Sequence, residues 1–161
     1  TWDDADPHSI NYNRAYFRQF FYSRYAEDQL VFTDQQLNDI ETLYSVAINN
    51  WNTQMAIDSL ISLVENPEYS GANRIGCSLL YLAQMSTDST EYLNYLLQAF
   101  NDGSDSWYGN GVNVGAYACF LLIEYYDSIG NESEYFKYKD ILSENYLNYI
   151  DHRERYLDNI L

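Results

Sequence analysis

The sequence predicts an all-α fold, seven to eight antiparallel helices stacked as helical hairpins, and three observations carry that prediction. Glycine and proline are scarce, seven and two in 161 residues, so few positions interrupt a helix. Apolar residues recur at steps of three and four nearly everywhere, and no stretch alternates with the period of two that a half-buried strand needs. Helix-start signatures follow one another closely, which leaves short links and forces consecutive helices to run antiparallel.

Residues 1–8 read as a polar lead-in. Asp3, Asp4, Asp6 and His8 have metal-ligand chemistry, but a solvated tail before the first helix is the expected reading. Residues 9–32 form a first helix that gathers Arg14, Arg18 and Arg24 with Tyr16, Phe17, Phe20, Phe21 and Tyr25. Its arginines are expected to meet carboxylates of an acidic body, or else to dock on another subunit.

From 33 to 150 the chain reads as hairpins. Thr33 and Gln36 make a capping box, each side chain meeting an otherwise unpaired backbone N–H. The helix that follows carries Leu37, Ile40, Tyr44, Ala47 and Ile48 as a stripe. The next carries Ala56, Ile57, Leu60, Ile61 and Val64 and stops at Asn66, because Pro67 lacks an N–H and restricts the residue before it. A helix over 70–85 follows. Asp88 with Glu91 starts another, with Tyr92, Leu93, Leu96, Leu97 and Phe100 on one side. The segment 112–129 is uncharged and apolar all round from 114 to 123, so it needs neighbours on several sides. Gly130 closes it, and Asn131 with Glu134 opens a helix bearing Tyr135, Tyr138, Leu142, Tyr146 and Tyr149. Residues 151–161 pack back as a cap through Tyr156, Leu157 and Ile160. The length suits one domain, since roughly 150 residues bury about 70% of their unfolded surface.

The chain also repeats itself. The stretch starting Cys77-Ser-Leu-Leu-Tyr-Leu resembles the one starting Cys119-Phe-Leu-Leu-Ile-Glu, and each runs through a polar turn into Glu91-Tyr92 or Glu134-Tyr135. A two-helix unit cannot bury both its apolar faces alone, so such units stack. Ile40, Leu43 and Ala47 on one helix, Ala56, Leu60 and Leu63 on the next, and Pro67 after them are similar in spacing to tetratricopeptide-type helical hairpins. Tyr81, Tyr92, Leu96 and Ala99, then Tyr135 and Leu142, continue that resemblance over roughly 35–147. Tyr44, Ser78 and Phe120 depart from it, standing where the family has glycine or alanine, and the repeat is longer than the usual 34 residues. Tyr108-Gly109-Asn110-Gly111-Val112 resembles the related Sel1-like repeat.

The resemblance implies a non-enzymatic scaffold that binds protein or peptide in a groove lined by the first helix of each hairpin. It points to Asn38, Glu41, Ser45, Asn49, Arg74, Ser78, Tyr81, Tyr117, Glu124 and Tyr125. Such a groove is rich in tyrosine and carboxylate, and its partner is expected to be a basic or amphipathic peptide steered in by charge. Trp107 and Tyr108 stand in a Gly- and Asn-rich loop and admit two readings. They pin that loop to the helices, or they expose aromatic faces to peptide or to the sugar rings of a cell-envelope glycan.

Composition excludes more than it selects. A net charge of −16 and a pI near 4.1 oppose binding to a phosphate backbone or an anionic membrane surface. No apolar run reaches the roughly 20 residues that span a bilayer. With two cysteines and two histidines there is little material for a zinc site, and no metal or cofactor is expected. Cys77 and Cys119 read as small buried apolar residues, with a disulfide as the alternative. Gly109, Gly111 and Gly115 lack the preceding strand of a dinucleotide loop. His152, in Asp151-His-Arg-Glu-Arg155, has carboxylate neighbours but no nucleophile, so a solvated turn is expected there. A carboxylate-based hydrolase is the remaining enzymatic reading, since acid separation is a spatial property. The start at Thr1 leads us to expect a processed or trimmed chain, and eighteen tyrosines with only two lysines lean toward a bacterial, extracytoplasmic setting.

Overall fold

Cap chemistry decides where each helix begins. A computed structural model describes residues 9–161, so the expectations for the lead-in fall outside the described residues. Helix α1 (Ile10–Val31) starts where the Ser9 side chain accepts the Tyr12 N–H, and it ends at Phe32, which is extended. Helix α2 (Asp34–Asn49) has the full capping box of Thr33 and Gln36. Helix α3 (Gln54–Glu65) is capped by Thr53 and stops before Pro67, which opens the 3-10 turn Pro67–Tyr69. The helix expected over 70–85 begins later, because Gly71 takes a left-handed φ of +86° and the chain re-enters at α4 (Asn73–Met85). Asp88, Asn113 and Asn131 then cap α5 (Ser89–Asp102), α6 (Val114–Ser128) and α7 (Glu132–Asn145). The last turn is the 3-10 segment Leu157–Asn159.

Each of α2 to α6 packs on the helix that follows it, and α4 also touches both α2 and α6. Leu60, Leu63, Leu80, Leu96, Leu122 and Ile123 are fully buried between them. Each such side chain contributes on the order of 2 kcal/mol by leaving water. Helix α6 lies inside as its composition requires: Val114, Ala118, Cys119, Leu122 and Ile123 are all buried. Among the described residues no strand forms. Two isolated antiparallel bridges, Trp107 to Asn113 and Ile150 to Tyr156, close the two longest turns.

Helix α1 is set apart from this sequence of neighbours. It lies against α2 and α4. The N-terminus of α4 has no cap from its own preceding residue, Ala72. Asp28 of α1 supplies one instead, its Oδ2 accepting the Asn73 N–H at 2.9 Å. A carboxylate suits the positive end of a helix dipole.

Candidate functional site

Three arginines of α1 each hold a different connection of the bundle. Arg24 donates to the Gly71 carbonyl at 2.7 Å, ahead of α4. Arg18 donates from Nε to the Gly109 carbonyl at 3.2 Å, ahead of α6. Arg14 pairs with Glu154, in the turn after α7. The arginines therefore do pack on this chain, but two of the three meet backbone carbonyls of the body where carboxylates were expected. Arg24 keeps its carboxylate partners, Glu27 and Asp28, on its own helix. Burial pushes the Asp28 carboxyl up, opposed by the Asn73 N–H and by Arg24.

Between these anchors α1 presses phenylalanines onto the loop between α5 and α6. Phe20 stacks on Trp107 with ring centroids 4.9 Å apart, and Trp107 stacks in turn on Tyr149 at 5.8 Å. Phe17, itself buried, lies 4.5 Å from Tyr149. The loop is also fixed from below. Asn73 Nδ2 donates to the Trp107 carbonyl at 2.9 Å and its Oδ1 accepts the Trp107 N–H at 2.7 Å. The Tyr108 hydroxyl donates to the Cys77 carbonyl at 3.2 Å, and its ring lies on Tyr81. Gly76 permits this approach, because a Cβ there would overlap the Ser106 side chain.

Two expectations change as a result. Trp107 and Tyr108 are 5% and 4% exposed, so they are not aromatic faces offered to a ligand. They pin the loop. Nor is the face of α4 open along its length, because the chain's own loop lies over Asn73, Cys77 and Tyr81. Ser78 is buried, its hydroxyl donating to the Arg74 carbonyl at 2.7 Å. His152 closes the far end, edge-on to Tyr108 at 4.9 Å and to Tyr117 at 5.2 Å. Its Nδ1 lies 3.0 Å from the Asn110 side-chain amide nitrogen, and partial burial holds its pKa below the usual value.

What stays open is the end formed by α1, α2 and the start of α4. A cleft of about 360 Å³ lies there, walled by Phe21, Tyr22, Tyr25, Leu37 and Ile40. Asn38, Glu41 and Arg74 stand among its lining, and of the expected groove residues these three are brought together. Arg74 Nε donates to Glu41 Oε1 at 2.9 Å, and the guanidinium lies over the rings of Tyr44 and Phe21. Ser45 and Asn49 continue from Glu41 along α2 as a shallow, exposed strip. Tyr81 is stacked on Tyr44 at 5.7 Å and meets Trp51 edge-on at 4.9 Å. Tyr125, Glu124 and Tyr117 belong to α6. Tyr125 lies 6.0 Å from Tyr92, and Glu124 and Tyr117 titrate high because burial disfavours their charged forms.

The walls from α1 were missed in sequence. Phe21, Tyr22 and Tyr25 read as one aromatic cluster with Phe17 and Phe20, and nothing in the spacing says which rings face the loop and which face α2. Chemically the cleft can hold an apolar side chain beside an ion pair. Both thiols are buried and pushed up to about 12, which makes them poor nucleophiles. Among the described residues no three histidine, cysteine or carboxylate side chains are grouped to hold a metal ion. Comparison with protein-family models, curated proteins and solved structures gave no match.

Proposed function

We propose that this chain is a non-enzymatic binding scaffold of tetratricopeptide-like helical hairpins, and that it takes a peptide along the uncovered strip of α2. The observation that carries the reading is the cleft between α1, α2 and α4. Its walls are aromatic and aliphatic, and the Glu41–Arg74 pair stands at it with the Glu41 side chain 49% exposed. An apolar pocket with a few convergent polar groups is the usual form of a recognition site. The ligand that fits is an amphipathic peptide with one apolar anchor. Its basic side chains run beside Glu41, where the net charge of −16 steers them in.

The stacking of hairpins is supported by the contacts of α4 with both α2 and α6, the arrangement in which first helices of successive hairpins touch. Partners of nucleic acid or anionic lipid would meet repulsion from the same charge.

A panel of short basic amphipathic peptides, titrated against the chain in low and high salt, tests the proposal. Binding that weakens with salt and is lost in Glu41→Lys supports it. Binding indifferent to Glu41→Lys, or no binding across the panel, overturns it.

A further inference from the structure

The seat of α1 is itself a finding about recognition. Helix α1 carries three of the eight Lys and Arg residues of the chain, and all three hold alternate connections of the acidic bundle. The numbering of α1 falls as the bundle advances: Arg24 lies ahead of α4, Arg18 ahead of α6 and Arg14 beside the turn after α7. An α-helix rises 1.5 Å per residue, so arginines six and four residues apart step along it by roughly 9 and 6 Å. Phe17 and Phe20 fall between these anchors, on the platform of Trp107 and Tyr149.

This attachment is made by side-chain tips and buries little. Of the residues of α1 only Phe17 and Asp28 are buried. Leu30 and Val31 are 90% and 72% exposed, and Tyr12, Tyr16, Tyr22 and Tyr25 are also open to solvent. The chain leaves α1 through Phe32 in extended backbone, which joins the helix to α2.

We propose that the platform under α1 is a docking surface for an amphipathic helix that carries arginine and phenylalanine in the spacing of Arg14, Phe17, Arg18 and Arg24. Helix α1 is the tethered occupant that such a helix replaces. The occupant already seated shows what the surface accepts: guanidinium groups for the carbonyls of Gly71 and Gly109 and for Glu154, and aromatic rings for Trp107. Charge favours the same partner. Displacing α1 would also remove the Phe21, Tyr22 and Tyr25 wall of the cleft against α2, but the proposal does not rest on peptide binding there.

The test uses a fluorescein-labelled peptide of residues 10–31 as the partner helix, titrated against the full chain in native form and in two variants. Phe17→Ala weakens the seat of α1 through packing, and Arg18→Glu weakens it through charge. Circular dichroism of each variant reports whether the bundle is kept. A tethered occupant lowers apparent affinity by the fraction of time that it blocks the site. The peptide is therefore expected to bind both variants at least about tenfold more tightly than the native chain. Binding should weaken in Glu154→Lys and be absent for a peptide with its three arginines changed to glutamate. Equal binding to native chain and variants, or to the charge-reversed peptide, overturns the proposal. Self-association of the unlabelled variants through exchange of α1, read as a doubling of mass, makes the occupant a second copy and overturns the partner helix.

Discussion

The guanidinium carbon of Arg74 lies 4.2 Å from the centroid of the Tyr44 ring, with the ring of Phe21 at 5.4 Å. One side chain thereby joins α1, α2 and α4, since its Nε and Nη2 also donate to Glu41. The contact sets what Tyr44 does as well. Burial pushes the Tyr44 hydroxyl far up, with the cation above it only partly opposing this. The pair is structural at its inner end and available at its outer one, where Glu41 faces solvent.

Replacing Arg74 should show both parts. Arg74→Ala removes a cation–π contact, a charge-assisted hydrogen bond and packed methylenes, and the expected loss is about 2–3 kcal/mol in urea unfolding. Arg74→Lys keeps the charge but not the planar fork, and is expected to recover less than half of that. Equal stability of the lysine variant and the native chain would show that charge alone matters here.

Asn73 is the hinge on which the loop between α5 and α6 is hung. Asn73→Ala leaves the buried N–H of Trp107 unpaired and its carbonyl with only the weak thiol donor of Cys77. An unsatisfied buried polar group costs on the order of 1–3 kcal/mol, so a loss of about 2–4 kcal/mol is expected for the two. Emission of Trp107 should shift to the red as the loop loosens. Asn73→Asp keeps an acceptor for the Trp107 N–H but sets a buried carboxylate oxygen against the Trp107 carbonyl and beside Asp28, and should lose at least as much as the alanine variant.

His152 predicts a pH dependence with a definite sign. Asn110 Oδ1 accepts the Val112 N–H, which turns the amide nitrogen of Asn110 toward His152 Nδ1. The ring is therefore held neutral with Nδ1 as acceptor, and desolvation lowers its pKa from 6.5. A group with a lowered folded pKa binds protons more readily when unfolded, so its contribution is present above pH 6.5 and lost as pH falls through the folded value. Asp151 beside it offsets part of this. Asp28 and Glu124 have raised values and act in the opposite sense. Unfolding free energies of the native chain and His152→Gln, compared between pH 7.5 and 5, isolate the histidine: their difference should shrink as the pH falls. A difference independent of pH would rule the assignment out.

The helices were legible because every start but that of α4 is written locally. Thr33, Asp88 and Asn131 cap through their own third residue, and the uncharged run in α6 demands enclosure whatever surrounds it. The covering of α4 was not legible because it is written nowhere locally. Asn73 reaches Trp107 across 34 positions, and Arg18 and Arg24 bond to carbonyls, which every residue has and no residue type announces. Even the late start of α4 belongs to this class, since its cap is Asp28 from another helix.

The cysteines give the last prediction, which separates enclosure from mere proximity of repeats. Cys77 lies against the Trp107 carbonyl at 3.6 Å and Cys119 against that of Tyr138 at 3.3 Å, so each thiol is covered by a different part of the chain. With both thiols pushed up to about 12, thiolate at pH 8 is scarce as well as covered. A native chain mixed with a thiol-reactive dye should therefore label at neither position, and both should label in 6 M guanidinium. Asn73→Ala should expose Cys77 first, because the loop above it is what Asn73 holds, while Cys119 stays protected by α7. Simultaneous labelling of the two in that variant would mean that the loop and the bundle open as one unit, and that Asn73 supports the whole fold and not the loop alone.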